Sequence, residues 1–138
     1  MLRREAREEV LKALYGTEFV QGKVDLDGDS LAENPGEQKD FIEEVYQGTL
    51  NHREEIDELI SSFTVGWKVE RLAVLDRNIL RMAIYEMLYN EGTPAAVVMN
   101  EAIELAKEYG TDNAPKFING ILDRIWKENE NREEDVKS

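Results

Sequence analysis

The amino-acid sequence predicts an all-α protein: a compact bundle of about seven helices, arranged as two small helical subdomains around a central helix. Three observations carry that expectation. Apolar residues recur at helical spacing in segment after segment, and no stretch alternates polar and apolar residues as a strand would. Asn-Pro, Thr-Pro and Gly signals punctuate the ends of those segments. At 138 residues, the chain is long enough to bury a core of its own without staples.

The first helix is expected over about Leu2 to Tyr15, with Ala6, Val10, Ala13 and Leu14 on one face. A polar stretch with Gly22, Gly28 and alternating acids makes residues 21–34 a mobile loop. Asn34-Pro35-Gly36-Glu37 reads as a helix start, with Asn at the N-cap, Pro at N1 and Glu at N3. Phe41, Ile42, Val45, Tyr46 and Thr49 form that helix's face, and Ile56, Leu59, Ile60 and Phe63 form the next, with a break marked by Gly48 and Asn51. Thr64-Val65-Gly66-Trp67 closes this half.

Val69, Leu72 and Leu75 predict a short helix, and Asp76 is the N-cap candidate of a long one. That helix carries Ile79, Leu80, Ala83, Ile84, Met87 and Leu88, two adjacent apolar positions per turn, which is the stripe of a central element. Glu91-Gly92 ends it. Thr93-Pro94 opens the next, through Val97, Ala102, Ile103 and Ala106 to Gly110. Asn113 begins the last, with Phe117, Ile118, Ile121, Leu122, Ile125 and Trp126 on its apolar side. Gly120 within it costs about 1 kcal/mol against Ala, which points to close packing of a neighbouring helix. One domain over residues 1–128 and a charged, frayed tail over 129–138 follow.

Composition excludes much chemistry. With no cysteine, a disulfide framework, a thiolate metal site and a cysteine nucleophile are all impossible. One histidine, His52, set among charged neighbours, rules out multi-histidine metal sites and reads as a solvated surface residue. No apolar run approaches the roughly 20 residues of a spanning helix, and the N-terminus has no apolar signal region, so a cytoplasmic protein is expected. The stretch from Gly16 to Lys23 imitates a P-loop, but its glycines are one residue too far apart and Val24 stands where Ser or Thr should. Asp25, Asp27 and Asp29 imitate a calcium loop, yet Ser30 and Gly36 occupy the positions that need Gly and Glu. Glu101 and Glu104 lack the Glu-x-x-His companions of a di-metal bundle. No cofactor and no catalytic machinery are expected.

The net charge is −13, which repels nucleic acid at long range. The acidity is uneven. Residues 20–60 hold 12 acids against 3 bases, whereas residues 1–19 balance at four each and 61–90 reach +1. Two strips escape it: Arg3, Arg4, Arg7 and Lys12, and Lys68, Arg71, Arg77 and Arg81. On charge alone, these bases read as pairing with acids on solvated helix faces.

Four segments, in order, resemble the NusB family. Arg3-Arg4-Glu5-Ala6-Arg7-Glu8 leading to Leu11-Lys12-Ala13-Leu14-Tyr15 is similar to its arginine-rich first helix, and the segment from Leu75 to Glu86 to its central helix. Thr93-Pro94 with Asn100 to Lys107, and then Lys116 to Asp123, complete the set. The resemblance spans about residues 3–126 and implies a non-enzymatic transcription antitermination factor. It implies binding to boxA RNA of ribosomal RNA operons together with NusE, a ribosomal small-subunit protein, which keeps RNA polymerase elongating. It further implies that Arg3, Arg4 and Arg7 meet RNA phosphates, with Asn113, Lys116 and Phe117 nearby at the start of the last helix, where backbone N–H groups favour phosphate and Phe117 can stack on a base. Tyr15 and Asp76 would face NusE. Plainer readings stand beside these: Arg4 with Glu8 as a helix pair, Phe117 as core, Tyr15 as a lid on the core, Asp76 as an N-cap. Similar domains also precede RNA cytosine methyltransferase domains, and a purely protein-binding adaptor is a third reading. Replacing all three arginines is expected to weaken RNA binding without unfolding the chain.

Overall fold

The computed structural model describes residues 2–19, 38–64, 68–90 and 92–137, the side chains of 133–137 excepted. The expected loop at 21–34, the helix start at Asn34–Glu37, the calcium-loop imitation, and residues Val65–Trp67 and Glu91 lie outside the described residues. Within them the chain forms α1 (Arg3–Thr17), α2 (Lys39–Asn51), α3 (Arg53–Phe63), a 3₁₀ turn (Val69–Arg71), α4 (Val74–Leu88), α5 (Ala95–Tyr109) and α6 (Ala114–Lys137). No strand occurs among the described residues. Gly16 and Thr17, the start of the P-loop imitation, are simply the last turn of α1.

Helix α4 is the axle. It packs against α1, α2, α3, α5 and α6, and it buries residues on every side: Ile79, Leu80, Met82, Ala83, Ile84, Tyr85 and Met87 along with Asp76, Asn78, Arg81 and Glu86. The α1–α3 flank contributes Ala6, Val10, Leu11, Leu14, Phe41, Ile42, Val45, Tyr46, Ile56 and Ile60, and the α5–α6 flank Val98, Ala102, Leu105, Ala106, Ile118, Ile121, Leu122 and Ile125. These join in one hydrophobic cluster through α4. The broad stripe read from the sequence therefore understates α4: it is enclosed all round, and its polar residues are enclosed with it.

Several boundaries and faces differ from the sequence expectation, each for a physical reason. Asp76 is not the N-cap of α4. The helix begins at Val74 after an extended Ala73, so Asp76 falls in the first turn, where an acid suits the helix dipole. The short helix expected over Val69–Leu75 shrinks to the 3₁₀ turn, and Leu75 belongs to α4. On α5, Val98 rather than Val97 enters the core, because the buried stripe runs Val98, Ala102, Leu105, Ala106; Val97 is exposed. On α6 the stripe is Ile118, Ile121, Leu122, Ile125, which turns Phe117 outward. Helix α6 runs on to Lys137, with Arg132 and Glu128 paired one turn apart.

The break between α2 and α3 falls at His52, as Gly48 and Asn51 suggested. Gly48 is required there, since a Cβ would collide with the Tyr85 ring of α4. His52 is not a bare surface residue. Its ring stacks on Tyr89 at 4.1 Å, and its Nδ1 lies 3.2 Å from the Glu55 carboxylate.

Half of the second basic strip is not solvated either: Lys68 and Arg71 are exposed, but Arg77 and Arg81 are drawn inward. Glu18, just past the end of α1, accepts hydrogen bonds from Arg77 (2.8 and 3.1 Å), Arg81 (2.8 Å) and Asn78 (3.2 Å). Arg81 also forks onto Asp57 of α3 at 2.8 and 2.9 Å. One carboxylate thus ties the end of α1 to α4, and α4 to α3. The hydrogen bonds from Arg77, with those of Arg81 and Asn78, hold the Glu18 carboxyl down from 4.5 to about 2 against the opposing cost of burial.

Two outcomes test this description. Gly120 is exposed and a Cβ there would meet nothing within 4 Å, so the close packing expected of it does not exist. Gly120→Ala should then raise stability by roughly 1 kcal/mol in urea denaturation; a destabilised variant would contradict the exposed placement. For Glu18, the depressed pKa means its contribution is full above pH 4.5 and is lost as pH falls through about 2. Melting curves of wild type and Glu18→Gln should differ most above that range and converge at its acid end.

Candidate functional site

Helix α1 carries two surface features. The first is its basic start. Arg3 and Arg4 are exposed in the first turn, and Glu5 reaches back to accept the Leu2 N–H at 2.9 Å, closing the helix end. Arg4 donates from Nε and Nη2 to Glu101 of α5 at 2.9 and 3.0 Å, and those hydrogen bonds lower the Glu101 pKa. The helix pair with Glu8 does not form. Glu8 instead accepts from the Tyr109 hydroxyl at 2.7 Å, which together with burial pushes Tyr109 up to about 12.

Arg7 lies elsewhere. Its side chain is 4% exposed, and its Nε and Nη2 fork onto Glu86 of α4 at 2.9 Å each. Its Nε–Nη2 edge, one of the two that could grip a phosphate, is used inside the protein, and the whole side chain is buried. Arg3 and Arg7 share one neighbour, the Phe41 ring of α2, with their guanidinium carbons 4.0 and 5.2 Å from its centroid. Asn113, Lys116 and Phe117 lie on the exposed surface at the start of α6, with Phe117 37% exposed despite its apolar ring. The Phe117 N–H donates to the Asn113 carbonyl at 3.1 Å. No hydrogen bond, ion pair or ring contact links this turn to the three arginines among the described residues.

The second feature is a shallow apolar groove of about 170 Å³ lined by Glu8, Leu11, Lys12, Tyr15, Leu75 and Tyr109. Tyr15 is exposed on its rim, with Phe19 beside it, ring centroids 4.8 Å apart. Asp76, next to the lining residue Leu75, is buried. It accepts from the Thr111 N–H at 3.1 Å and the Thr111 hydroxyl at 2.7 Å, pinning the α5–α6 turn. Gly110 is needed for that approach, since a Cβ would press on Asp76 Oδ1, the Ala106 carbonyl and Ala114. Asp76 thus supports the groove rather than lining it.

Sequence reasoning missed Phe41, Glu86 and Glu101 at the basic end, and Phe19, Leu75 and Tyr109 at the groove. Glu86 had a signal: an acid within Ala83–Leu88, on a helix with a broad apolar stripe, must be paired if buried. For Glu101 and Phe41 there was none, because their partners are distant in the chain.

Bundle and surface together define a class: an all-helical protein whose first helix has an exposed basic end and borders an apolar groove. Residues 4–127 match the profile of the NusB family. The chain is 45% identical over 127 residues to the transcription antitermination protein NusB of Bacillus subtilis, covering 91% of this chain and 95% of that one. The crystal form of T. maritima NusB superposes with a TM-score of 0.83 at 42% identity, over 93% of this chain and 92% of that one. A crystal structure of antitermination factors NusB and NusE in complex with dsRNA gives 0.75 at 24% identity, over 91% and 96%, a likeness of fold. The chain belongs to the NusB family.

The buried Arg7–Glu86 pair gives Arg7 a structural role that counts against replacing all three arginines without destabilising the chain. Breaking a buried ion pair from one side leaves a lone charge and costs about 3–5 kcal/mol. Arg7→Ala should lose stability of that order, while Arg3→Ala and Arg4→Ala, both exposed, should melt close to wild type in calorimetry.

Proposed function

We propose that the protein is a non-enzymatic transcription antitermination factor of the cytoplasm, binding boxA RNA together with NusE to keep RNA polymerase elongating. The observation that carries this reading is the family match over residues 4–127, with relatives named as transcription antitermination proteins matched over nearly their whole length. Arg3 and Arg4 at the exposed start of α1 are the phosphate contacts. Asn113, Lys116 and Phe117 add a helix end, a positive charge and an exposed ring for an unpaired base. Tyr15 and the apolar groove beneath it receive NusE, and Asp76 acts by holding that groove's floor in place. Arg7 contributes through the fold. No described helix is long and apolar enough to cross a membrane.

Charge supports a shared mode of binding. A protein of net charge −13 offers RNA one small basic end, and its other surfaces repel the polyanion. Background affinity is therefore low, and a basic partner supplies the missing positive surface. Linkage then requires NusE to tighten RNA binding by the same factor that RNA tightens NusE binding. Titration calorimetry of the binary and ternary steps checks this: boxA RNA should bind the NusE complex more tightly than the free protein. Equal affinities in the two cases would sink the cooperative reading.

A further inference from the structure

We propose that Phe41 is a positioning residue for RNA binding, seating Arg3 as the uncommitted guanidinium of the basic end. The inference rests on the RNA-binding reading above and names a residue that reading did not contain. Each of the three arginines is held differently. Arg4 has two N–H groups on Glu101, and Arg7 has two on Glu86. Arg3 has no carboxylate partner among the described residues; its guanidinium carbon sits 4.0 Å from the centre of the Phe41 ring.

The difference matters because a guanidinium donates in its plane. A carboxylate partner takes one in-plane N–H edge and offsets the charge. An aromatic ring takes the face, leaving the charge intact and the edge free for a phosphate oxygen. A stacked arginine is therefore ordered without being neutralised. An unheld arginine loses rotamer freedom when RNA captures it, whereas one already seated loses less.

The seat itself is fixed. Phe41 is 9% exposed on α2, between α1 and α4, and Arg7, locked onto Glu86, flanks the same ring at 5.2 Å. Phe41 thus presents one part of its ring to Arg3 and is immobilised by the rest of its surroundings. Its apolar position on α2 made it look like core alone. The structure gives it a second neighbour, on the surface.

The test is fluorescence anisotropy of a labelled single-stranded boxA oligonucleotide at several salt concentrations, with the full chain and its variants. Arg3→Ala should weaken binding and flatten the salt slope by about 0.7, the loss of one single-strand phosphate contact. Phe41→Leu, which keeps apolar volume but removes the ring, should weaken binding about 2- to 5-fold. Phe41→Tyr, which restores a ring, should recover it. Introducing Phe41→Leu into the Arg3→Ala background should cost nothing further, because the ring acts only through Arg3. Phe41→Met is read in parallel in case the leucine variant is poorly folded, and melting curves confirm the fold of each. A folded Phe41→Leu that binds as tightly as wild type, or losses that add in the double variant, would overturn the assignment. Wild-type protein that fails to bind the oligonucleotide is a distinct outcome, which overturns the RNA reading and this inference with it.

Discussion

Helix α4 has no solvent face to spare, and that constraint organises the molecule. A helix enclosed on all sides cannot leave a polar side chain unpaired, since a buried group without a partner costs several kcal/mol. Every polar group it buries therefore reaches a different element. Glu86 takes Arg7 of α1, Arg81 takes Glu18 beyond the end of α1 and Asp57 of α3, and Asp76 takes Thr111 of the α5–α6 turn. Apolar burial supplies the driving force for collapse but little direction. These pairs have direction, and each sets where one neighbouring element sits against the axle.

The functional surface is built on that arrangement. Helix α1 lies where Arg7 and Glu18 put it, and its first turn, with Arg3 and Arg4, is carried outward by the same placement. The groove beside Tyr15 exists because the end of α5 meets the flank of α1, and that end is held by Thr111 on Asp76 and by the Tyr109 hydroxyl on Glu8. In the function proposed above, Asp76 and Arg7 would serve as supports, one for each feature. A residue near a binding surface need not touch the ligand to matter to it.

The acidic balance of the chain looks different in this light. Much of its positive charge is consumed internally: Arg7, Arg77 and Arg81 face carboxylates with their side chains almost fully or largely buried, and Arg4 faces Glu101 at the surface. Of the four bases of residues 61–90, Arg77 and Arg81 go into the ion network around Glu18, and only Lys68 and Arg71 stay on the surface, beside the exposed Glu70. What reaches solvent at the start of α1 is smaller than the four bases of residues 1–19 suggest, and this sharpens the case for a basic partner.

Helical periodicity by itself determined the all-α class, the central helix and most of the core residues, because the 3.6-residue repeat is a local property that survives into the fold. It did not place Leu11, Met82, Tyr85, Val98, Leu105 or Ala114 there. The four ordered segments likewise pointed to the family and to the exposed Arg3, Arg4 and Lys116. Only the tertiary structure decided which like-looking residues do which work. Arg3, Arg4 and Arg7 look alike in sequence, but Arg4 points about 100° from Arg3, while Arg7 follows Arg3 one turn on along nearly the same face and deeper in the bundle, so one meets a ring, one a surface acid and one a buried acid. Phe117 and Ile118 are neighbours in sequence, yet one turns to solvent and the other to the core. Partners such as Glu86, Glu101 and Phe41 lie tens of residues from the arginines they hold. Chain periodicity carries no information about which distant side chain completes a pair; only the packing of α1 against α2, α4 and α5 supplies it.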